Sequence, residues 1–215
     1  MITEPMTMVT DCVLGAACLG FAAALRGEAR RRGQRSVRTA AGAFAATGLA
    51  ALIGGTSHGF ALMMDPATRR ILWKLTVFAL GTASFFLLSA MLEAGLSPGL
   101  RRVLGVLNLL KLVLYLGWMT AHDDFRFAVY DYVASLLVVA LVALVRLARK
   151  SGTGQGWLVA GIAISLGAAA LQQVGFGPHA HFNHNDLYHV IQTGAMWLLY
   201  RGARMLSDWR ASDPR

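Results

Sequence analysis

Three histidines (His181, His184, His189), Asn183, Asn185, Asp186 and Gln192 crowd into residues 181–192 of an otherwise strongly apolar chain. Neutral imidazole is a good zinc ligand, and a catalytic zinc site needs three protein ligands and a position for water. His58, in the string GGTSHGF, and His189 make the best pair, with His184 or His181 as the third ligand. Asp11, Asp131 and Asp186 are available as an outer ligand, to orient a ligating imidazole, or as a general base. Zinc-bound water titrates near about 7, which would give a hydroxide nucleophile. The plainer account is that a histidine near a helix end is a hydrogen-bonded interfacial residue; it suits His122 and His179, while His181 fits either account. His184 and His189 lie five apart, about 140° round an ideal helix. They can share a metal only if His184 precedes the helix, with Asn185 or Asp186 as its N-cap.

These residues have to be positioned by the rest of the chain, and its composition says how. Of 215 residues, 56% are hydrophobic and 14% charged, and the mean hydropathy is +0.52. Soluble domains carry about 25% charged residues, so the expected class is an all-α, polytopic integral membrane protein. A spanning helix needs about 20 mostly apolar residues. Seven segments qualify, at 8–26, 39–63, 71–94, 103–121, 127–147, 157–176 and 186–201. Their connections are short, and residues 1–215 read as a single seven-helix transmembrane domain. Gly55 with Gly59, and Gly161 with Ser165, supply the small residues that let helices approach in lipid. The opening string MITEPMTMVTD lacks the basic start of a cleavable signal. Cys12 and Cys18 both fall in the first apolar run and read as packing residues, with no disulfide framework.

The formal net charge of +9 would suggest nucleic acid in a soluble protein. Here the basic residues cluster in short loops between apolar runs, so they report orientation and no nucleic-acid partner is expected. Six arginines sit in RGEARRRGQRSVR; Arg101, Arg102, Arg146, Arg149, Lys150, Arg201, Arg204, Arg210 and Arg215 share their side. Only Arg69, Arg70, Arg126 and Lys74 mark the other. The positive-inside rule then places the N-terminus outside and the C-terminus in the cytoplasm, as in a bacterial inner membrane.

With that orientation the intramembrane polar residues collect in the outer half: Asp11, Ser57, His58, Lys74, Tyr115, Asp131, and the group from His184 to Gln192. Asn108, Lys111, Tyr115, Trp118 and His122 form one stripe at helical spacing, with Lys111 a counter-charge for an aspartate. Ionisable groups inside a membrane face the protein interior or a wet cavity. A polar pocket opening outwards is expected, with Lys74, Lys111, Tyr115, His181, Asn185, Asp186 and Gln192 around it.

The arrangement resembles the CREST-type superfamily of seven-helix membrane hydrolases and receptors, which includes alkaline ceramidases and adiponectin-type receptors. His58 near the end of the second helix and His189 near the start of the seventh carry the resemblance. It implies a zinc ion held by one histidine of the second helix and two of the seventh, supported by a serine and an aspartate. The implied activity is hydrolysis of lipid amides such as ceramide. The chain departs from that pattern in having Asn185 four residues before His189, with His184 displaced by one. Gly54 stands where the family serine would be and Ser57 adjoins His58; Asp11 or Asp131 would replace an aspartate of the third helix. The strings GGTSHGF, YDY and FNHNDLYHVIQ also look like a bacterial seven-helix family whose membership implies no activity.

Two functions compete on this reading. One is a zinc-dependent hydrolase acting on a membrane lipid or amphiphilic amide, with His58, His184 and His189 on the metal and Asp131, Asp11 and Ser57 in catalytic roles. The other is a metal-free sensor or small-ligand-binding protein using the same pocket. Proton-coupled transport lacks the internal repeat that transporters show. A retinal protein lacks a lysine on the seventh helix, and a haem bundle would rest on His58 and His189.

Overall fold

A computed structural model describes residues 2–179 and 181–209; Arg210 and Arg215, counted above for orientation, lie outside them. Seven helices follow one another: α1 (Pro5–Arg32), α2 (Arg35–Phe60), α3 (Pro66–Gly95), α4 (Pro98–Ala121), α5 (Arg126–Ala148), α6 (Gln155–Gln173) and α7 (His184–Arg204). Among the described residues, all but α7 are long and apolar enough to cross a membrane.

Most of the helices outrun the apolar segments, because backbone hydrogen bonding continues past the grease until a local signal stops it. α1 carries its arginines through two further turns, aided by Glu28, which accepts from Arg31 at 2.5 Å. It ends where Gly33 takes a left-handed conformation, which costs glycine little. Pro66 and Pro98 open α3 and α4, where a missing N–H costs nothing. Asp65 caps α3 by accepting from the backbone of Ala67 and Thr68 at 2.9 and 3.0 Å.

Packing makes a closed ring of six helices. α1 lies on α2, α2 on α3, α3 on α5, α5 on α6, α6 on α7, and α7 returns to α1. α4 stands outside the ring, packed on α3. The closest approach is between α1 and α2. A methyl on Gly48 would come within 2.9 Å of the Gly15 carbonyl oxygen, so the two backbones touch through glycine.

The half of the ring towards the α1–α2 turn is filled. Leu25, Val37, Phe44, Met91, Val139 and Ile162 are buried there, and Phe21 stacks on Tyr200 with centroids 4.7 Å apart. The segment after α7 folds back over this end. Asp208 accepts from the backbone N–H groups of Arg35 and Ser36 at 2.9 and 2.8 Å and from the Ser36 hydroxyl at 2.7 Å. It serves as the N-cap that Gln34, the residue before α2, does not supply. Partial burial raises the Asp208 carboxyl, but these hydrogen bonds outweigh it and hold the group below its ordinary range.

Candidate functional site

The other half of the ring is hollow. A cavity of ≈ 400 Å³ runs down its axis, lined by all six ring helices and by no residue of α4. Its rim carries Glu4, His58, Trp73, Phe125, Gln173 and Asn185. Its floor is reached at Leu14, Thr47, Leu136, Ser165 and Gln192. On α2 the lining runs from Ala61 down to Thr47, about 21 Å of helix at 1.5 Å per residue.

Helix α7 forms the most polar wall, and its start is tightly specified. Asn183 and Asp186 make a reciprocal capping box: Asn185 and Asp186 N–H donate to Asn183 Oδ1, and Asn183 N–H donates to Asp186 Oδ2 at 2.7 Å. The N-cap is therefore Asn183, two residues before Asn185, the earlier of the two expected caps, and His184 becomes the first helical residue. Asp186, almost fully buried, also accepts from the Thr7 hydroxyl of α1 at 2.7 Å. One turn on, His189 meets α1 through both ring nitrogens: Nε2 lies 3.2 Å from Asp11 Oδ1 and Nδ1 lies 3.2 Å from Thr10 Oγ1. Asp11 in turn is wedged against α2, where its Cβ would sit 2.8 Å from a methyl placed on Gly55. At the rim, His58 Nδ1 is 3.3 Å from Glu4 Oε2, and Gln172 donates to Asn185 at 2.9 Å.

Of the expected site residues, Asp11, Ser57, His58, Asn185, His189 and Gln192 line this cavity. The others do not. Asp131 and Lys111 form an ion pair of 2.7 Å between α4 and α5, closed by Ser84 of α3 and Ser135. Tyr115 donates to the Val77 carbonyl and packs its ring over Gly81. Lys74 pairs with Asp123 and donates to the carbonyl of His122, tying down the end of α4. A polar stripe such as the one Lys111 and Tyr115 belong to marks the side of a helix that faces protein. It cannot say whether that protein is a cavity or a neighbouring helix. His181 is exposed in the loop before α7, and Asp186 is spent on the cap and on Thr7.

The triad of His58, His184 and His189 is not assembled. His184 does not line the cavity, and His189 has both nitrogens against α1. Among the described residues no three His, Cys, Asp or Glu side chains are grouped as a metal site.

Several residues of the site escaped the sequence reading: Thr10 beside His189 and Thr7 beside Asp186, which support the wall, and Glu4, Tyr132, Tyr188 and Ser165, which line the cavity. For the threonines a signal existed. Thr7, Thr10, Asp11, Leu14 and Cys18 recur at three- and four-residue spacing and are all buried.

A family model matches residues 6–208 of the chain. The chain belongs to that family, one of unknown function (DUF6962). No curated protein and no solved structure matches it. The match takes in all of α2 to α7 and stops at Asp208, so the cap on α2 falls inside the family's extent.

Two features of the cavity bear on what this member of DUF6962 can hold. First, Ser165 Oγ and Gln192 Oε1 are buried with no hydrogen-bond partner among the described residues, both on the cavity floor. A buried polar atom without a partner costs about 1–3 kcal/mol, so the floor holds two unsatisfied polar groups in an otherwise apolar setting. Second, among the described residues no lysine or arginine lines the cavity, although the chain has 20 of them. Its ionisable groups are two carboxylates, two imidazoles and two phenols, set among Trp73, Phe125 and aliphatic walls.

Proposed function

We propose that the chain is a multi-pass protein of the bacterial inner membrane, N-terminus outside, whose helical ring binds a small amphiphilic molecule from the outer face. The guest is neutral or carries an amine. The observation that carries this is the cavity: of the size that small-molecule sites occupy, apolar in its walls, with unpartnered Ser165 and Gln192 at its floor. An anionic head would meet the Glu4 carboxylate at the rim, with no lysine or arginine among the described lining residues to offset it. An amine would meet carboxylate and aromatic faces together, a pairing that favours cations. The orientation rests on the charge asymmetry of the loops.

The test is mass spectrometry of small molecules released from protein purified in mild detergent, compared with Ser165→Leu, which fills the floor. The wild-type protein is expected to release a stoichiometric guest, and the variant, still helical, to release none. Equal release from both, or an acidic guest, would refute the reading.

A hydrolase acting on a lipid or amphiphilic amide is the second reading, and one contact favours it. The Asp11–His189 pair sits in the cavity wall in the relation of an orienting carboxylate to a general base. Turnover of amide amphiphiles that disappears in His189→Gln, with the guest still bound, would support it over simple binding.

A further inference from the structure

At the opposite end of the bundle, the last two turns of α7 build a site of different charge. Trp197, Tyr200, Arg201 and Arg204 stand at positions i, i+3, i+4 and i+7, so they share a face. With Arg32 and Glu28 of α1 and Thr153 of the α5–α6 turn they line an open recess of ≈ 590 Å³. Arg201 lies over two indoles, 4.7 Å from the Trp157 ring and 5.4 Å from that of Trp197. Arg204 lies over Tyr200 at 5.6 Å.

The arginines are held, yet their charge is not used. Ring contacts fix a guanidinium by its flat face and leave its N–H edge free for an oxyanion. Among the described residues neither Arg201 nor Arg204 has a carboxylate within ion-pair distance or a side-chain hydrogen bond. The one acid of the recess, Glu28, is taken by Arg31 at 2.5 Å and approached by Arg32 at 3.9 Å. The carbonyl oxygens at the end of α7, which would repel an anion, are neutralised: Arg32 donates to those of Arg204 and Leu206. α6 starts beside the recess, after Thr153, with Gly154 as an N-cap that offers no side chain. Trp and Tyr at such a level are the residues that settle at headgroup depth.

We infer that this recess binds the phosphate of an anionic phospholipid, with Arg201 and Arg204 as its ligands. The inference rests on the helices spanning a bilayer and is independent of what the central cavity holds. A phosphodiester accepts from both guanidinium edges, while the acyl chains lie along the apolar outer face of α7.

The test is native mass spectrometry of the full chain in detergent, offered phosphatidylglycerol and phosphatidylcholine of matched acyl chains. Wild-type protein is expected to retain phosphatidylglycerol over phosphatidylcholine by roughly tenfold, the scale of basic contacts to anionic lipid. Arg201→Gln with Arg204→Gln is expected to bring the two near parity while circular dichroism and melting stay unchanged. If that variant does not fold, Arg204→Gln alone is expected to lose part of the preference. Equal retention of the two lipids by the wild type would overturn the site. Displacement of phosphatidylglycerol by inorganic phosphate would overturn the lipid assignment and give the recess to a soluble phosphate.

Discussion

Asp131 separates a structural reading of the α3–α4–α5 contact from a catalytic one. Its carboxylate is 7% exposed, 2.7 Å from the Lys111 ammonium, and it accepts from Ser84 at 2.5 Å. At an effective dielectric of roughly 20, opposite charges at that distance attract by about 6 kcal/mol, most of which repays their removal from water. Asp131→Asn takes away one partner and leaves the ammonium facing only hydroxyl and amide oxygens. Breaking a buried pair in this way costs about 3–5 kcal/mol; Lys111 is 29% exposed, so the low end, about 3 kcal/mol, applies. For a chain of this length each kcal/mol is worth about 2–4 °C, and the melting midpoint in detergent should fall by roughly 6–12 °C. Because α4 lies outside the ring, the loss should be local, and hydrogen exchange should quicken in residues 98–121 before it does in α1 or α7. Pairing Lys111→Met with Asp131→Leu should recover most of the stability, since apolar replacement of a buried pair is often neutral or better. Guest retention in the cavity should be unchanged throughout. A single variant that melts like wild type, or a double variant no better than the single, would refute the reasoning.

Two further perturbations address the ends of the bundle. Asp208→Ala removes the cap on α2 and should cost about 0.5–2 kcal/mol of stability, measured by thermal unfolding in detergent. Because its hydrogen bonds depress the Asp208 carboxyl, the cap contributes fully above the ordinary carboxylate pKa of about 3.9 and is lost as pH falls through the folded value. Asp208→Asn should therefore flatten the acid limb of the stability profile, and an unchanged limb would count against the cap. Thr7→Val leaves a buried Asp186 oxygen without its donor, at about 1–3 kcal/mol. Hydrogen exchange at the start of α7 should rise in that variant, while α3 and α5 stay as they are.

The sequence shows how many helices there are because greasy runs and polar breaks are local. α3 and α4 start five residues ahead of the apolar runs at 71 and 103, at Pro66 and Pro98, where proline opens a helix; Asp65 caps the first of them, while Ser97 makes no side-chain cap on the second. The order of the ring could not be read. Lys111 and His189 carry the same signature, a charge-capable residue on an inward stripe, yet one clamps a peripheral helix and the other walls the cavity. Only the neighbour decides, and α4 is skipped because α3 packs directly on α5. His58 and His189 were legible as members of one pocket since both lie on ring helices at one depth. Their partners Glu4 and Thr10 were not, because a carboxylate near a chain start and a threonine in an apolar run are ordinary wherever they occur.

The helix that shapes the site most is also the one least able to enter a membrane alone. α7 has the length to span, about 31 Å for 21 residues, but Asp186, His189 and Gln192 on its buried face keep it below the apolarity of the other six. Each polar group facing hydrocarbon costs several kcal/mol. α1 removes that cost for two of the three: Thr7 receives Asp186, and Thr10 with Asp11 receives His189. Gln192 keeps its carbonyl oxygen unmatched at the floor of the cavity. A helix that only needed to fill the ring would carry leucine there. The first and last helices are thus joined by polar contacts that fix one wall of the cavity, and Gln192 is the polar group of α7 that α1 leaves unmatched.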